Sequence, residues 1–236
     1  MNKLNLASEP KETEISVEDT VLLIVDAQRD FLEKGGFAES GLGVDISKAR
    51  EIIPRLQSII TLARSKGMSV VHLREAYSAD GSDLPENHTW REMIGKTGTG
   101  GWRFLIYGDK GHEIIPELAP LDGEFVIDKS GKDGVNDPPP NAATDKHVLV
   151  DVLGNRLDVK NVLVGGVATS VCVDETARSL KRQNFMPVLI EDGCGDYDQR
   201  KHEWAFLNYG RQQQGGDGLY GRTTQSDHVI AALEQL

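Results

Sequence analysis

Runs of mostly apolar, often β-branched residues alternate with helical patterns along most of the chain. Such runs, bounded by polar residues or glycine, are typical of strands that are buried on both faces. We predict strands at residues 21–25, 69–73, 124–128, 161–165 and 186–190, with a short sixth strand at 218–221. Strands that alternate with helices predict a parallel sheet covered by helices on both faces.

The segments between these runs predict helices and one long loop. Apolar residues recur on one face of an amphipathic helix that Ser47 can cap and that ends near Gly67. Further helices are predicted to begin near Thr169 or Ser170, and to span residues 199–213 and 226–233. Residues 74–111 are predicted to form a polar loop, and a loop this long in a compact domain is usually a lid or an oligomer contact.

Length and composition indicate one globular domain. A chain of 236 residues needs no disulfide or metal to hold a core, and we expect an N-terminal arm over residues 1–17 and a domain over 18–236. The net charge of −11 disfavours nucleic acids and anionic membranes as partners. Two cysteines make no disulfide framework, so a reduced, cytoplasmic location is expected.

Candidate chemistry lies at the ends of three predicted strands. Cys172 follows the fourth strand, in the first turn of a predicted helix, where backbone N–H groups and the helix dipole favour a thiolate. Asp26 follows the first strand and could serve in proton transfer, although a turn or cap role is equally open. Either Lys129 or Lys132, after the third strand, could keep both groups charged, and spacing alone does not choose between them.

These motifs, taken in order, resemble those of the isochorismatase-like cysteine hydrolases. Residues 26–31 read Asp-Ala-Gln-Arg-Asp-Phe, Lys129 follows the third strand, and residues 166–173 read Gly-Val-Ala-Thr-Ser-Val-Cys-Val. The resemblance covers residues 18–236 and implies a Rossmann-like, three-layer α/β/α fold with a six-stranded, mostly parallel sheet. It also implies a catalytic triad of Asp26, Lys129 and Cys172.

The same resemblance implies further features of the site. The Val167–Ala168 peptide bond should be cis, and the amides of Ala168 and Cys172 should form an oxyanion hole. Residues 108–120, 128–132, 191–195 and 214–216 are similar to segments of biuret and ureidoacrylate amidohydrolases. Residues 133–141 depart from that branch and are inserted beside the expected pocket, which leaves the substrate open. The candidates for substrate contact are Gln28, Phe31, Phe37 and Gln214.

The family's nicotinamidases carry an Asp-x-His metal-ligand set after the second strand, where this chain reads Arg-Glu-Ala-Tyr-Ser at residues 74–78. The six histidines have no metal-ligand spacing, so we expect no metal and no cofactor. The hypothesis is a cysteine amidohydrolase acting on a small amide or ureide, in a homodimer or homotetramer. Its alternatives are a vinyl-ether hydrolase without a covalent intermediate and a non-catalytic binding protein.

Trp90 and Trp102, in the long loop, could form part of the site wall or be buried in an oligomer contact, and we favour the contact.

Overall fold

The architecture is a parallel sheet between two layers of helices, seen in a computed structural model. The structure describes residues 3–207, 209 and 218–236. Within these residues the strands are β1 (Leu4–Leu6), β2 (Thr13–Ile15), β3 (Thr20–Val25), β4 (Ser69–Glu75), β5 (Phe125–Lys129), β6 (Asn161–Val167), β7 (Met186–Gly195) and β8 (Arg222–Thr224). The α-helices are α1 (Arg29–Leu32), α2 (Ser47–Arg50), α3 (Ile53–Ser65), α4 (Leu149–Asp151), α5 (Asp174–Arg182), α6 (Gln199–Leu207) and α7 (Ser226–Gln235).

The six-stranded sheet has the order β5-β4-β3-β6-β7-β8, and every neighbouring pair is parallel. The predicted α/β/α fold is therefore confirmed. Every residue of β3 is buried, because Leu22 and Ile24 face the layer that contains α3 and α7 while Val21, Leu23 and Val25 face the layer of α4 and α5. The chain leaves β3 toward one edge and returns to its other side with β6. The order of the strands thus reverses between β3 and β6, which is where ligands of open α/β sheets bind.

The N-terminal segment packs on the edge and one face of this sheet. β1 and β2 pair as an antiparallel hairpin, and Leu6 and Ile15 are fully buried in the main hydrophobic cluster. The Arg222 guanidinium donates to the carbonyl of Glu12 over 2.8 Å.

No helix of the described residues is long and apolar enough to cross a bilayer.

Two predicted elements are wrong in their details. The sixth strand is β8, not residues 218–221, because Gly218 and Gly221 have φ values of +70° and +142° that a regular strand does not adopt. The single helix from Ser47 is divided into α2 and α3, since Pro54 near the start of α3 has no N–H to donate to the preceding turn. Ser47 lies inside α2, and its own N–H donates to Asp45. Residues 208 and 210–213 of the predicted 199–213 helix lie outside the described residues.

Gly166 allows the backbones of β3 and β6 to lie close together. Gly166 pairs with Val25 and has a φ of +131°, and a Cβ atom there would lie 2.0 Å from the Val25 carbonyl oxygen. We expect Gly166→Ala to lower the free energy of unfolding by more than about 3 kcal/mol, because strain and a backbone clash combine. Gly67→Ala is the matched control, since it has a φ of +77° and no atom near the added Cβ. Chemical denaturation checks both variants, and similar losses in the two would contradict the clash.

Candidate active site

Four neighbouring strands deliver polar side chains to one edge of the sheet. Asp26 follows β3, Glu75 ends β4 and Lys129 ends β5. Cys172 lies in a π-helical turn, Thr169–Val173, that connects β6 to α5. Because the carboxyl ends of parallel strands meet at the same edge, residues more than a hundred positions apart come into contact there.

The central ion pair joins Lys129 and Asp26. The Lys129 Nζ lies 2.8 Å from Asp26 Oδ2, 2.8 Å from the Gly131 carbonyl oxygen and 3.9 Å from Glu75 Oε2. Both side chains of the pair are completely buried. The second oxygen of the carboxylate, Asp26 Oδ1, accepts no hydrogen bond from the described residues. That atom is therefore free to take up a proton.

Glu75 is a member of this cluster that the sequence analysis missed. Its Oε2 lies 3.7 Å from Cys172 Sγ, and its Oε1 accepts the hydroxyl of Tyr77 over 3.0 Å and forms an ion pair with Lys132. The signal was present, since an acidic residue at the end of a buried strand is what singled out Asp26. Lys132 thus neutralises Glu75, while Lys129 binds Asp26.

The protonation of the site follows from burial and from this pairing. Burial raises the pKa of the Cys172 thiol well above its usual value, the Asp26 and Glu75 carboxylates add to the effect, and the Lys129 and Lys132 ammonium groups only partly oppose it. The expectation of a resting thiolate at a helix start is therefore wrong. Burial also raises the pKa of Asp26, against the attraction of Lys129. A thiol beside a carboxylate of raised pKa is an arrangement suited to general-base activation.

A cavity of about 630 Å³ opens onto the thiol. Apolar and aromatic side chains form much of its wall, and charged residues lie at the thiol and elsewhere around the wall. The residues that line it are Phe31, Leu42, Val44, Glu75, Trp90, Lys132, Ala168, Ser170, Val171, Cys172, Asp196, Tyr197, Asp198, Gln199, Arg200 and Lys201. Its size suits a small-molecule ligand.

The backbone between β6 and Cys172 has the expected cis peptide bond at Val167–Ala168. Ala168 and Cys172 both line the cavity, as the proposed oxyanion hole requires. The intervening amide of Ser170 donates to Asp196 Oδ2 over 2.8 Å. This bond ties the turn to the end of β7 and fixes the path of the chain toward Cys172.

Comparison with known proteins identifies the family. The isochorismatase domain model matches residues 20–216 of the chain. The chain belongs to the isochorismatase family. The resemblance inferred from the motifs is thus confirmed over most of the chain.

Relatives place the chain within this family. It is 27% identical over 204 residues to the ureidoacrylate amidohydrolase RutB of Acinetobacter baylyi, covering 80% of this chain and 76% of the relative. A cysteine hydrolase structure from Pseudomonas syringae pv. phaseolicola superposes with a TM-score of 0.75 at 21% identity, over 94% of this chain and 95% of the other. The N-carbamoylsarcosine amidase of Thermoplasma acidophilum gives 0.63 at 18% identity, over 89% and 97%. Both structural matches show the shared isochorismatase-family fold.

The four residues predicted to contact the substrate do not all lie at the cavity. Phe31 lines the cavity, but Phe37 is completely buried behind it, with its ring 5.0 Å from that of Trp90. Gln28 is also completely buried, and its amide pairs with the backbone N–H and C=O of Glu75 over 2.7 and 2.8 Å. Gln28 and Phe37 therefore support the wall from behind instead of facing the ligand. Gln214 lies outside the described residues.

Gln28 is expected to act on stability more than on substrate affinity. Gln28→Met leaves the Glu75 N–H and C=O groups without a partner in the interior, at about 1–3 kcal/mol for each. We expect the free energy of unfolding to fall by that order, whereas Gln235→Met, which removes an exposed amide bonded to Ala231, should change it little. Thermal and chemical denaturation give the comparison. A rise in KM with unchanged stability would instead indicate direct substrate contact.

The two tryptophans of the long loop have separate roles. Trp90 lines the cavity, and Lys132 Nζ lies 4.0 Å from the centre of its indole ring. Trp102 is buried within the chain and donates its indole N–H to Asp30 Oδ1 over 2.9 Å. Asp30 also accepts the Leu105 amide, so it ties the loop to the domain as a structural residue. The sequence left open a place in the site wall or an oligomer contact, and Trp90 lies in the wall.

The departure from the amidohydrolase branch at residues 133–141 packs against α5. The Gly134 amide donates to the Thr176 hydroxyl over 2.9 Å, and the Asn136 amide donates to Ser179 over 3.0 Å. The segment begins directly after Lys132, whose ammonium pairs with Glu75. The segment is therefore anchored on α5 and follows directly on the lysine that neutralises Glu75.

The donor atoms at the thiol suit proton transfer better than cation binding. One ligand atom each from Asp26, Glu75 and Cys172 lies within 4.8 Å of the others. Both carboxylates are already neutralised by buried or half-buried ammonium groups, since Lys129 binds Asp26 and Lys132 binds Glu75. A cation entering this group would face two positive charges at close range.

Proposed function

We propose that this chain is a cysteine amidohydrolase that cleaves the C–N bond of a small amide or ureide. The observation that carries the proposal is a buried thiol flanked by two carboxylates, each paired with a lysine, in a cavity at the point where strand order reverses. The similarity to a ureidoacrylate amidohydrolase over 80% of the chain supports a ureide-type substrate.

In the acylation step, Asp26 is the proposed base. Asp26 Oδ1 takes the proton of Cys172, and Sγ attacks the carbonyl carbon of the substrate. The amides of Ala168 and Cys172 hold the oxyanion of the tetrahedral intermediate. Collapse breaks the C–N bond, Asp26 returns its proton to the leaving nitrogen, and a thioester remains on Cys172.

In the deacylation step, the same carboxylate acts on water. Asp26 takes a proton from the attacking water as the hydroxyl adds to the thioester carbonyl, and the C–S bond then breaks. The proton passes to the sulfur, so the thiol and the Asp26 carboxylate are restored, and an acid or a carbamate is released. Lys129 stays protonated throughout, since its pKa is raised by Asp26, Cys172 and Glu75 despite burial, and it keeps Asp26 in place.

A screen for ammonia release tests the proposal. Simple amides, carbamoyl compounds and ureides, including ureidoacrylate, are incubated with the full chain and with Cys172→Ala as the blank. We expect turnover of at least one class by the wild type and none by the variant. No release from any class by a folded wild-type protein would overturn the proposal, and equal release by both proteins would point to a reaction without the cysteine.

A further inference from the structure

A chain of side chains connects the loop after β4 to the thiol. His88 Nε2 lies 2.9 Å from the Tyr77 hydroxyl, which donates to Glu75 Oε1 over 3.0 Å. The other oxygen of that carboxylate lies 3.7 Å from Cys172 Sγ. Tyr77 and Glu75 are completely buried, while His88 is half-buried. Neither His88 nor Tyr77 lines the cavity wall formed by the described residues.

The contact between His88 and the Trp90 backbone assigns a direction to each hydrogen bond in this chain. The Trp90 backbone N–H donates to His88 Nδ1 over 3.2 Å, so Nδ1 carries no proton. A neutral imidazole with an unprotonated Nδ1 has its proton on Nε2 and donates it to Tyr77. The Tyr77 hydroxyl, having accepted that bond, donates to Glu75. All these bonds form together when His88 is neutral, and an ionised Glu75 accepts the Tyr77 hydroxyl more strongly than a protonated one.

The same residues close a ring of contacts around the cavity wall. Lys132 forms an ion pair with Glu75, and its ammonium stands over the indole ring of Trp90. Trp90 in turn is held to His88 through its backbone N–H. A proton added to His88 Nδ1 would face the Trp90 N–H and break that contact, because both groups are then donors. The position of Trp90 and the Glu75 carboxylate are thus coupled through this ring of contacts, which contains the titratable imidazole of His88.

We infer that Tyr77 and His88 are positioning residues, which hold Glu75 ionised and aimed at Cys172 and lock Trp90 into the cavity wall while His88 is neutral. This inference rests on the proposed amide hydrolysis for its kinetic consequences. Protonation of His88 opens the ring of contacts and lowers the rate.

Burial and two neighbouring cations keep His88 neutral near pH 7. Burial lowers its pKa below the ordinary value, Lys132 and Arg91 lower it further, and Glu75 raises it. Burial and the Glu75 charge raise the pKa of Tyr77, so its hydroxyl keeps the proton that it donates. For Glu75, burial would raise the pKa, but Lys132 and Lys129 outweigh it and the pKa is lowered.

Kinetics of three variants test the inference against pH. Tyr77→Phe removes the donor to Glu75 and should raise the acid limb of kcat/KM by about one pH unit, as expected for one hydrogen bond to a charged group. His88→Gln keeps an N–H donor but cannot titrate, so its acid limb should move to lower pH with the plateau within about threefold of wild type. Tyr209→Phe is the matched control, since Tyr209 is equally buried and donates to Asp174 over 2.9 Å.

The tautomer of His88 is a readout that needs no substrate. Two-dimensional ¹H–¹⁵N spectra of the full chain, assigned with His88→Gln, should show a single Nε2–H tautomer at pH 7.5. An Nδ1–H tautomer overturns the inference, as do Tyr77→Phe and Tyr209→Phe profiles that both coincide with wild type. If no amide or ureide is hydrolysed, the proposed function fails, and the tautomer still decides whether the chain of hydrogen bonds exists.

Discussion

Replacing Cys172 by alanine should lower kcat/KM for any amide or ureide substrate by about 10³-fold or more, with the protein still folded. Catalytic groups that act as a unit lose most of their effect when the nucleophile is removed. The side chain is small and lies at the cavity, so its loss should cost about 1–2 kcal/mol of stability. Steady-state kinetics and a thermal melt measure the two effects.

The second cysteine provides the control for this result. Cys194 is buried in β7, with its Sγ 3.5 Å from the Val164 carbonyl oxygen, and burial raises its thiol pKa as well. It does not line the cavity formed by the described residues. Cys194→Ala should therefore keep kcat/KM within a few-fold while losing similar stability. Activity that survives in Cys172→Ala and disappears in Cys194→Ala would reverse the assignment of the nucleophile.

Lys129→Met should be the most destabilising of the single changes to the charged cluster. It leaves the completely buried Asp26 carboxylate without the ammonium at 2.8 Å, and breaking a buried ion pair in this way costs about 3–5 kcal/mol. Activity should fall with it, since Asp26 loses its positioning partner. Lys48→Met removes the ammonium of an exposed pair with Glu51 and should cost less than about 1 kcal/mol.

Two further measurements distinguish the loss of the buried ion pair from a general disruption of the fold. The double variant Asp26→Asn/Lys129→Met should be more stable than the sum of its single changes predicts, by about 2 kcal/mol, because no uncompensated charge remains. Without Lys129 the folded-state pKa of Asp26 rises further above its unfolded value, so protonation stabilises the fold. The free energy of unfolding that Lys129→Met loses should therefore be smaller at pH 5 than at pH 8. Strict additivity and a pH-independent loss would contradict the pairing.

The sequence predicts the sheet and the meeting of Asp26, Lys129 and Cys172 because both depend on local patterns. Short apolar runs rich in β-branched residues, such as residues 21–25, predict buried strands, and polar residues directly after such strands are expected at the carboxyl edge of the sheet. Family motifs then choose Lys129 over Lys132, and the 2.8 Å contact with Asp26 agrees with that choice.

Other features depend on three-dimensional detail that sequence spacing does not carry. Asp26 has a φ of 50°, which turns the chain sharply after β3 and places Gln28 behind the wall. The acidity of the Cys172 thiol depends first on burial and then on four charges, on Lys129, Asp26, Glu75 and Lys132, all of which come from other parts of the chain. Trp90 reaches the cavity from a loop with no regular pattern, so its partner Lys132 could not be inferred.

The proposed mechanism requires the Cys172 sulfur to form a thioester with the acyl part of the substrate. Intact-protein mass spectrometry after acid quenching during turnover tests it directly. We expect a mass increase equal to the acyl group, located on the peptide that contains Cys172, released by hydroxylamine and absent from Cys172→Ala. Sustained turnover with no adduct at any quench time, or an adduct on another residue, would contradict it.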